Sequence, residues 1–282
     1  MLEKCRISGF ADEINQSFAV QLAVLKELGQ SYIELRSADG TGVADFTLEQ
    51  AKALKKIMTQ QGICVSAIGS PIGKIKVTDA FEPHFKQFRH VVELAKLFDT
   101  PYIRMFSFYV PHGEENAYRG EVLRRVEKLV DYATKERVTL LHENEKGIYG
   151  ADAPHCLELM QQFYGESFAC TFDFANFVQV GQDTKMAYEM LEPYIRYIHI
   201  KDAKCLDGEV VLPGDGDGNV QEILGDLDKK GFDGFLSLEP HLCSFEGLEK
   251  LEAQVRQKKE TDGIAAYQSA YQRLQEMLAD AL

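Results

Sequence analysis

Four side chains able to bind a common cation stand at the ends of four apolar runs. They are Glu143, Asp173, His199 and Glu239. A carboxylate that leaves an apolar interior needs a cation or several hydrogen bonds, because burying a bare charge is costly. Three carboxylates and one imidazole form an oxygen-rich set that favours Mn²⁺ or Mg²⁺, with Co²⁺ or Zn²⁺ as alternatives. The pattern therefore predicts one divalent-metal site, provided that the four runs are neighbouring strands.

The four runs read as strands, because each is short and rich in β-branched, aromatic or leucine residues. Four more runs of this kind precede them, and helical patterns separate the eight. Strands that alternate with helices pair in parallel through βαβ units. Eight such units predict a closed (β/α)8 barrel, the TIM barrel fold, in a single domain. An open doubly wound sheet is the alternative, but no Gly-x-Gly-x-x-Gly motif follows the first strand.

We expect the barrel to occupy about residues 4–245 and a C-terminal helical extension to occupy 246–282. Apolar residues at helical spacing over 264–278 predict an amphipathic helix that packs on the outside of the barrel. Near the start of the chain, Asp12 is the predicted N-cap of the first helix and Thr47 that of the second.

A barrel gathers the carboxyl ends of its strands on one face, where active sites lie. Side chains two residues apart on a strand share a face, so Lys201 should point into the barrel mouth beside His199. Arg104 lies within a strand, where an unpaired guanidinium would be costly, so it should meet an acid or a substrate oxygen. Glu34 could bind substrate hydroxyls or form a salt bridge. Asp202 begins the loop after the seventh strand and is a further candidate substrate contact.

Other polar residues near the strand ends have less specific roles. His142 should face the helix layer as a packed histidine, because it is adjacent to Glu143 on the strand. Asn144 and Glu145 could support the site or contact substrate. His112 and His241 are expected at the rim of the barrel, where a solvated histidine is the simplest interpretation.

Composition limits the classes of partner. The net charge is −13, from 31 basic and 44 acidic residues, which disfavours nucleic acid as a partner because that binding depends on clustered Lys and Arg. No apolar run approaches the roughly 20 residues needed to span a bilayer, so a membrane is not expected as a partner. The first residues carry no signal-like segment, and the six cysteines form no Cys-x-x-Cys pair. We expect a cytoplasmic protein with reduced thiols.

At its strand ends the chain resembles the xylose isomerase-like TIM barrel superfamily, the sugar phosphate isomerase/epimerase group. The order and spacing of five short motifs carry the resemblance. They are Leu-His-Glu-Asn at 141–144, Phe-Asp-Phe-Ala-Asn at 172–176, Ile-His-Ile-Lys-Asp at 198–202, Leu-Pro-Gly-Asp-Gly at 212–216 and Leu-Glu-Pro-His at 238–241.

The resemblance implies a divalent metal held by Glu143, Asp173, His199 and Glu239. In the family's ketose epimerases the two glutamates also move the proton, which gives that role to Glu143 and Glu239 here. The expected activity is that of a metal-dependent isomerase or epimerase of a small sugar or polyol, acting through an enediolate. The resemblance also implies a homo-oligomer, because dimers and tetramers are common in the family.

Two positions depart from the ketose epimerases. Those enzymes have a substrate-binding histidine where this chain has Asn176, and a substrate-binding arginine where it has Cys205. The His-Ile-Lys-Asp stretch is closer to the inosose dehydratase and hydroxypyruvate isomerase relatives. Asn176 therefore joins Glu34, Arg104, Lys201 and Asp202 as a candidate substrate contact.

Three other functions remain as alternatives. A dehydratase or lyase of the inosose dehydratase type would use the same metal and would need a leaving hydroxyl β to the acidified carbon. A non-catalytic sugar-binding barrel would keep the fold without turnover. A nuclease like the AP endonucleases would need extra histidine ligands and a basic groove, and the acidic net charge argues against it.

Overall fold

Eight parallel strands form a nearly closed barrel in the computed structural model, which describes residues 4–243 and 262–279. In chain order the strands are β1 (Arg6–Gly9), β2 (Tyr32–Leu35), β3 (Cys64–Ile68), β4 (Tyr102–Met105), β5 (Thr139–Glu143), β6 (Phe168–Asp173), β7 (Ile195–Ile200) and β8 (Phe235–Leu238). Hydrogen-bonded neighbours follow the order β1-β8-β7-β6-β5-β4-β3-β2, so β2 to β8 pair successively in sequence order and β8 also pairs with β1. This arrangement confirms the predicted TIM barrel.

Helices connect the strands and cover the outside of the barrel. They are α1 (Phe18–Glu27), α2 (Leu48–Gln61), α3 (Phe81–Leu97), α4 (Glu115–Glu136), α5 (Ala153–Phe163), α6 (Phe174–Gln179), α7 (Thr184–Leu191), α8 (Val220–Lys229) and α9 (Gly263–Ala279). The sequence pattern did not predict α6, which begins directly after β6 and spans only six residues. Six residues are too few to show helical periodicity, which is recognised over a window of about 11–18 residues.

One predicted helix cap is confirmed and one is wrong. Thr47 caps α2 in a capping box with Gln50, as expected for Thr three residues before Gln. Asp12 does not cap α1, because that helix begins at Phe18 after Ser17. Asp12 instead lies in a short 3-10 turn directly after β1 and accepts a hydrogen bond from Arg36.

Alternate residues of each strand point into the barrel and form layers. An apolar layer at the base contains Ala67, Leu141, Ala169, Tyr197 and Phe235. The next inward residues towards the carboxyl ends of these strands are polar, because inward positions recur every two residues. The strand alternation thus puts an apolar floor beneath a polar mouth.

The C-terminal helix α9 packs against the first strand. Tyr267 is fully buried, and its hydroxyl forms hydrogen bonds with the side chain of Gln30. A Cβ atom at Gly9 would lie only 2.1 Å from that hydroxyl, so this close approach requires glycine in β1. The predicted helix is confirmed, whereas 246–261 and 280–282 of the predicted extension lie outside the described residues. Within the described ranges no helix is long and apolar enough to cross a bilayer.

Candidate metal centre

The four predicted ligands converge at the carboxyl ends of four adjacent strands. Glu143 ends β5, Asp173 ends β6, His199 is the penultimate residue of β7, and Glu239 follows β8. One donor atom from each residue lies within 4.8 Å of the other three. All four side chains are buried, the most exposed being Glu239 at 3%. The structure therefore brings together the whole predicted ligand set.

Local structure fixes the direction of the Asp173 carboxylate. Asp173 is the N-cap of α6, and its Oδ1 accepts a hydrogen bond from the Asn176 backbone N–H at 2.8 Å. Asn144 holds the same backbone from the other side, because its side-chain amide both donates to Asp173 O and accepts from Asp173 N, each at 3.0 Å. With Oδ1 used by the helix cap, Oδ2 is left facing the cluster.

His199 lies at the centre of the three acids. Its Nδ1 is 3.2 Å from Glu143 Oε1, 3.4 Å from Glu239 Oε2 and 3.8 Å from Asp173 Oδ2. Burial lowers the pKa of His199, but the Glu143 and Glu34 carboxylates raise it well above its usual value. The surrounding carboxylates therefore favour the protonated imidazole, whose charge would partly balance theirs.

Arg104 and Asn176 hold Glu143. Arg104 Nη1 is 3.2 Å from Glu143 Oε2, and the guanidinium is further held by the Gly69 carbonyl. Asn176 Nδ2 donates to Glu143 Oε1 at 3.2 Å. Burial would raise the pKa of Glu143, yet His199 and Arg104 lower it to about 2. Arg104 thus meets an acid, which is one of its two predicted partners.

Glu239 has the most cationic environment of the four. Lys201 Nζ lies 3.1 Å from Glu239 Oε2 and 3.0 Å from Asp173 Oδ2. Arg36 Nη1 lies 3.1 Å from Glu239 Oε1, and His241 Nε2 lies 3.3 Å from the same oxygen. Burial would raise the pKa of Glu239, but Lys201 and His241 bring it well below its usual value.

The predicted substrate contacts occupy different depths of the mouth. Lys201 points into it, as the two-residue strand period predicted. Asp202 has its carboxylate turned into the following loop, where it accepts backbone N–H bonds from Ala203, Gly214, Gly216 and Gly218 at 2.9–3.0 Å. This geometry favours loop organisation by Asp202 over contact with substrate.

The remaining polar residues are also placed. Glu34 is 1% exposed, and its Oε2 lies 3.2 Å from His199 Nε2. His142 packs behind β5 with its Nε2 3.0 Å from Ser107 Oγ, in agreement with a packed histidine. Glu145 pairs with Lys74 at 3.1 Å near the rim. The expectation of a solvated His241 is wrong, because this side chain is 2% exposed and lies between two glutamates.

Sequence reasoning missed two acids at the end of β1. Glu13 Oε1 is 3.2 Å from Arg36 Nη2 and 3.4 Å from His241 Nε2, while Asp12 binds Arg36 Nε at 2.8 Å. The signal was present, since these acids follow an apolar strand just as the metal candidates do. Their adjacency to the first helix pattern suggested a helix cap instead.

The donor set fits a divalent cation. Glu143 Oε2, Asp173 Oδ2 and His199 Nδ1 are buried and take part in the ion pairs described above, but within residues 4–243 and 262–279 none of them has a hydrogen-bond partner of good geometry. Buried polar atoms are rarely left this way in proteins. Three carboxylate oxygens and one imidazole nitrogen also match the ligand chemistry of Mn²⁺, Mg²⁺, Co²⁺ and Zn²⁺.

Comparison of the amino-acid sequence with protein families agrees with this architecture. The family model described as xylose isomerase-like TIM barrel matches residues 22–261. The chain belongs to this family. Within the xylose isomerase-like family, a relative at the sequence level is the uncharacterised protein MJ1311 of Methanocaldococcus jannaschii, which is 26% identical over 161 residues. The match covers 54% of each chain, so the chain spans about half the length of that relative.

Solved structures with the same fold cover almost the whole chain. An L-ribulose 3-epimerase superposes with a TM-score of 0.74 at 19% identity, covering 98% of this chain and 95% of its own. The IolI protein with a bound zinc atom gives 0.76 at 15% identity, covering 98% and 99%. The probable 3-DHS dehydratase AsbF of Bacillus anthracis gives 0.68 at 19% identity, covering 83% and 92%. At these identities the similarity shows the shared fold.

Proposed function

We propose that this protein is a divalent-metal-dependent isomerase or epimerase of a small sugar or polyol. The observation that carries the proposal is the convergence of four buried donor atoms within 4.8 Å at the barrel mouth. Glu143, Asp173, His199 and Glu239 are the proposed ligands, and Glu143 and Glu239 are the proposed proton carriers. Membership of a family that includes epimerases by name supports the same reaction class.

A bound divalent ion would polarise a substrate carbonyl and acidify the C–H bond beside it. Glu143 and Glu239 reach the site from β5 and β8, the two ends of the four-strand arc. One carboxylate can remove the proton and the other can return it. Arg104 keeps Glu143 ionised, while Lys201 does the same for Glu239. The low pKa values make both glutamates weak bases, which suits a substrate whose C–H bond is already acidified.

A dehydratase is the second candidate, and Lys201 is the observation that favours it. This buried ammonium lies within 3.1 Å of two of the proposed ligands, where it could give a proton to a leaving hydroxyl. Asn176 and Cys205 replace the substrate contacts of ketose epimerases. The name of the AsbF structure, a probable dehydratase, is consistent with this alternative.

Proton exchange with solvent separates the two candidates. The Mn²⁺-loaded protein is incubated in deuterated water with a panel of ketoses and inososes, and the products are followed by NMR and mass spectrometry. Exchange without water loss supports the isomerase or epimerase, whereas loss of water supports the dehydratase. Glu143→Gln and Glu239→Gln should each reduce the rate by about 10²–10⁴-fold, the usual contribution of a general acid or base.

The control is Glu222→Gln, which changes an exposed glutamate of α8 that pairs with Lys185 and should leave the exchange rate unchanged. A parent protein that binds no divalent metal would contradict the proposal. Metal binding without exchange on any substrate would leave a sugar-binding barrel as the better description.

A further inference from the structure

Glu34 is a buried acid that the proposed reaction does not use. It lies on β2, across the barrel from β7, and its side chain is 1% exposed. The pairing of β2 with β3 shifts register between Ile33 and Glu34, so the strand is irregular at this residue. A carboxylate in the barrel interior requires hydrogen-bond or ionic partners that offset the free-energy cost of burying its charge.

The partners of Glu34 include Ser237, His199 and the hydroxyl of Tyr197. Glu34 Oε2 accepts a hydrogen bond from Ser237 Oγ at 2.6 Å and lies 3.2 Å from His199 Nε2. A carboxylate oxygen accepts hydrogen bonds, so the His199 nitrogen that faces it carries the proton. Ser237 lies directly opposite His199 in the pairing of β8 with β7. The two strands thus place the serine and the imidazole on the same carboxylate.

Aromatic rings restrict the imidazole from two sides. Phe10 meets His199 edge-on at 5.2 Å between ring centroids, and Tyr197 does so at 5.8 Å. With Nε2 bound to Glu34 and the ring confined, Nδ1 faces Glu143, Asp173 and Glu239 at 3.2–3.8 Å. Glu34 and the two aromatic rings therefore set the orientation in which Nδ1 faces the proposed metal site.

We infer that Glu34, held by Ser237, is a positioning residue that fixes the orientation and tautomer of His199 for metal binding. The inference rests on the metal site of the proposed function. Glu34 contacts Nε2, whereas the proposed metal would bind Nδ1, so this role takes the place of the expected contact with substrate. Carboxylates or carbonyls that accept the second N–H of a ligating histidine commonly strengthen metal binding by 10–100-fold.

Metal affinity tests the inference without any substrate. The dissociation constant for Mn²⁺ is measured by calorimetry, and the visible absorption spectrum of bound Co²⁺ reports the ligand geometry. Glu34→Met removes the acceptor and should weaken Mn²⁺ binding by about 10–100-fold with an altered Co²⁺ spectrum. Glu34→Gln keeps an acceptor oxygen and should rescue most of this loss. Ser237→Ala should weaken binding less than Glu34→Met, because the carboxylate remains but is less well held.

Thr100→Ala is the control. Thr100 has a buried hydroxyl just before β4, which donates to the Ser66 carbonyl and accepts from the Tyr102 N–H, away from His199, Glu34 and Ser237. It should leave the Mn²⁺ affinity and the Co²⁺ spectrum unchanged. Circular dichroism and thermal unfolding of each metal-free variant show whether a loss of affinity is merely a loss of fold.

The inference is overturned if folded Glu34→Met binds Mn²⁺ as tightly as the parent protein, or if Thr100→Ala weakens binding as much as Ser237→Ala does. If Glu34→Met does not fold, an unchanged affinity in Ser237→Ala overturns it instead. These outcomes leave the proposed function intact, because the parent still binds metal. A parent that binds no metal overturns the proposed function and this inference together.

Discussion

At the scale of single residues, the site is a set of acids whose charges are unevenly compensated. Glu143 and Glu239 each have strong cationic partners and low pKa values. Asp173 differs, because burial raises its pKa to about 7, with Lys201 acting to lower it and Glu239 and Glu143 acting to raise it. The environment thus favours the protonated forms of Asp173 and His199 more than water does.

Metal binding is consequently expected to release protons. A cation binds the deprotonated forms of aspartate and histidine, so the protons that Asp173 and His199 hold are released when it binds. We expect the apparent affinity for Mn²⁺ to rise with pH between 6 and 8, by about tenfold per pH unit for each proton released. Calorimetry in buffers of different ionisation enthalpy measures that proton count. A binding enthalpy that is the same in every buffer would contradict this prediction.

At the scale of elements, two loops at the mouth depend on single side chains. The loop after β7 folds around Asp202. The two carboxylate oxygens of Asp202 accept hydrogen bonds from the N–H groups of three glycines and of Ala203. A Cβ atom at Gly216 would lie 2.2 Å from Asp202 Oδ1, and one at Gly218 would lie 2.6 Å from it. Glycine is thus needed at 216 and 218 for close approach to the carboxylate.

Asp202→Ala should therefore be costly, because it leaves several backbone donors without an acceptor. We expect a loss of about 3 kcal/mol in the free energy of unfolding, measured by urea denaturation. Asp183→Ala is the control, since Asp183 is an exposed N-cap that accepts one bond from Met186 N. Its loss should cost about 1 kcal/mol. An Asp202→Ala protein no less stable than Asp183→Ala would contradict the assigned role.

The loop after β3 depends on His84. The Gly73 backbone N–H donates to His84 Nε2 at 2.8 Å, so the imidazole must be neutral at this nitrogen to accept the bond. Burial lowers the pKa of His84 to about 4, and the nearby Arg125 acts in the same direction. The same loop carries Lys74, which reaches Glu145 at the rim.

Acid should weaken this anchor. The folded-state pKa of His84, about 4, lies below the unfolded value of 6.5, so its contribution is complete above pH 6.5 and declines as the pH falls towards 4. His84→Gln keeps an acceptor but cannot titrate, so its unfolding free energy should vary less with pH over this window. Urea unfolding at several pH values measures the slope. The exposed His112→Gln is the control and should retain the parent slope.

The slope of His84→Gln should not vanish, because burial also lowers the pKa of His142 to about 4. An unchanged slope in His84→Gln, compared with the parent and with His112→Gln, would show that His84 does not anchor the loop.

At the scale of the whole molecule, the barrel brings acids from four strands to one point. Each acid is distant from the others in sequence, so only closure of the barrel forces their mutual repulsion. We propose that the barrel and α9 form one folding unit, because Tyr267 of the helix is buried against Gly9 and Gln30. Such a unit should unfold in a single cooperative transition that depends on metal.

Removal of metal should therefore destabilise the entire protein. With free Mn²⁺ at about 100 times its dissociation constant, the folded state should gain about 3 kcal/mol relative to protein treated with chelator. Thermal and urea unfolding with and without Mn²⁺ measure the difference. Asp173→Asn should lose most of this gain, whereas the surface change Asp183→Asn should keep it. Identical unfolding curves with and without metal would argue against the site.

The sequence by itself determined the barrel and the ligand set. The two-residue strand period and the alternation of strands with helices are local patterns, so they predicted eight parallel strands and the inward direction of Lys201. The carboxyl ends of barrel strands share one face, which is enough to group Glu143, Asp173, His199 and Glu239 from the sequence alone. The ligand roles themselves stay a prediction.

Only the tertiary structure decided which residues surround that set. Three features depend on contacts between distant strands. Asp12 binds Arg36 instead of capping a helix, His241 is buried between two glutamates, and Glu34 contacts His199. No local period encodes such contacts, because they arise from the curvature and register of the closed barrel. The chemistry of the strand ends was therefore readable in the sequence, whereas the partners that tune it became visible only in the fold.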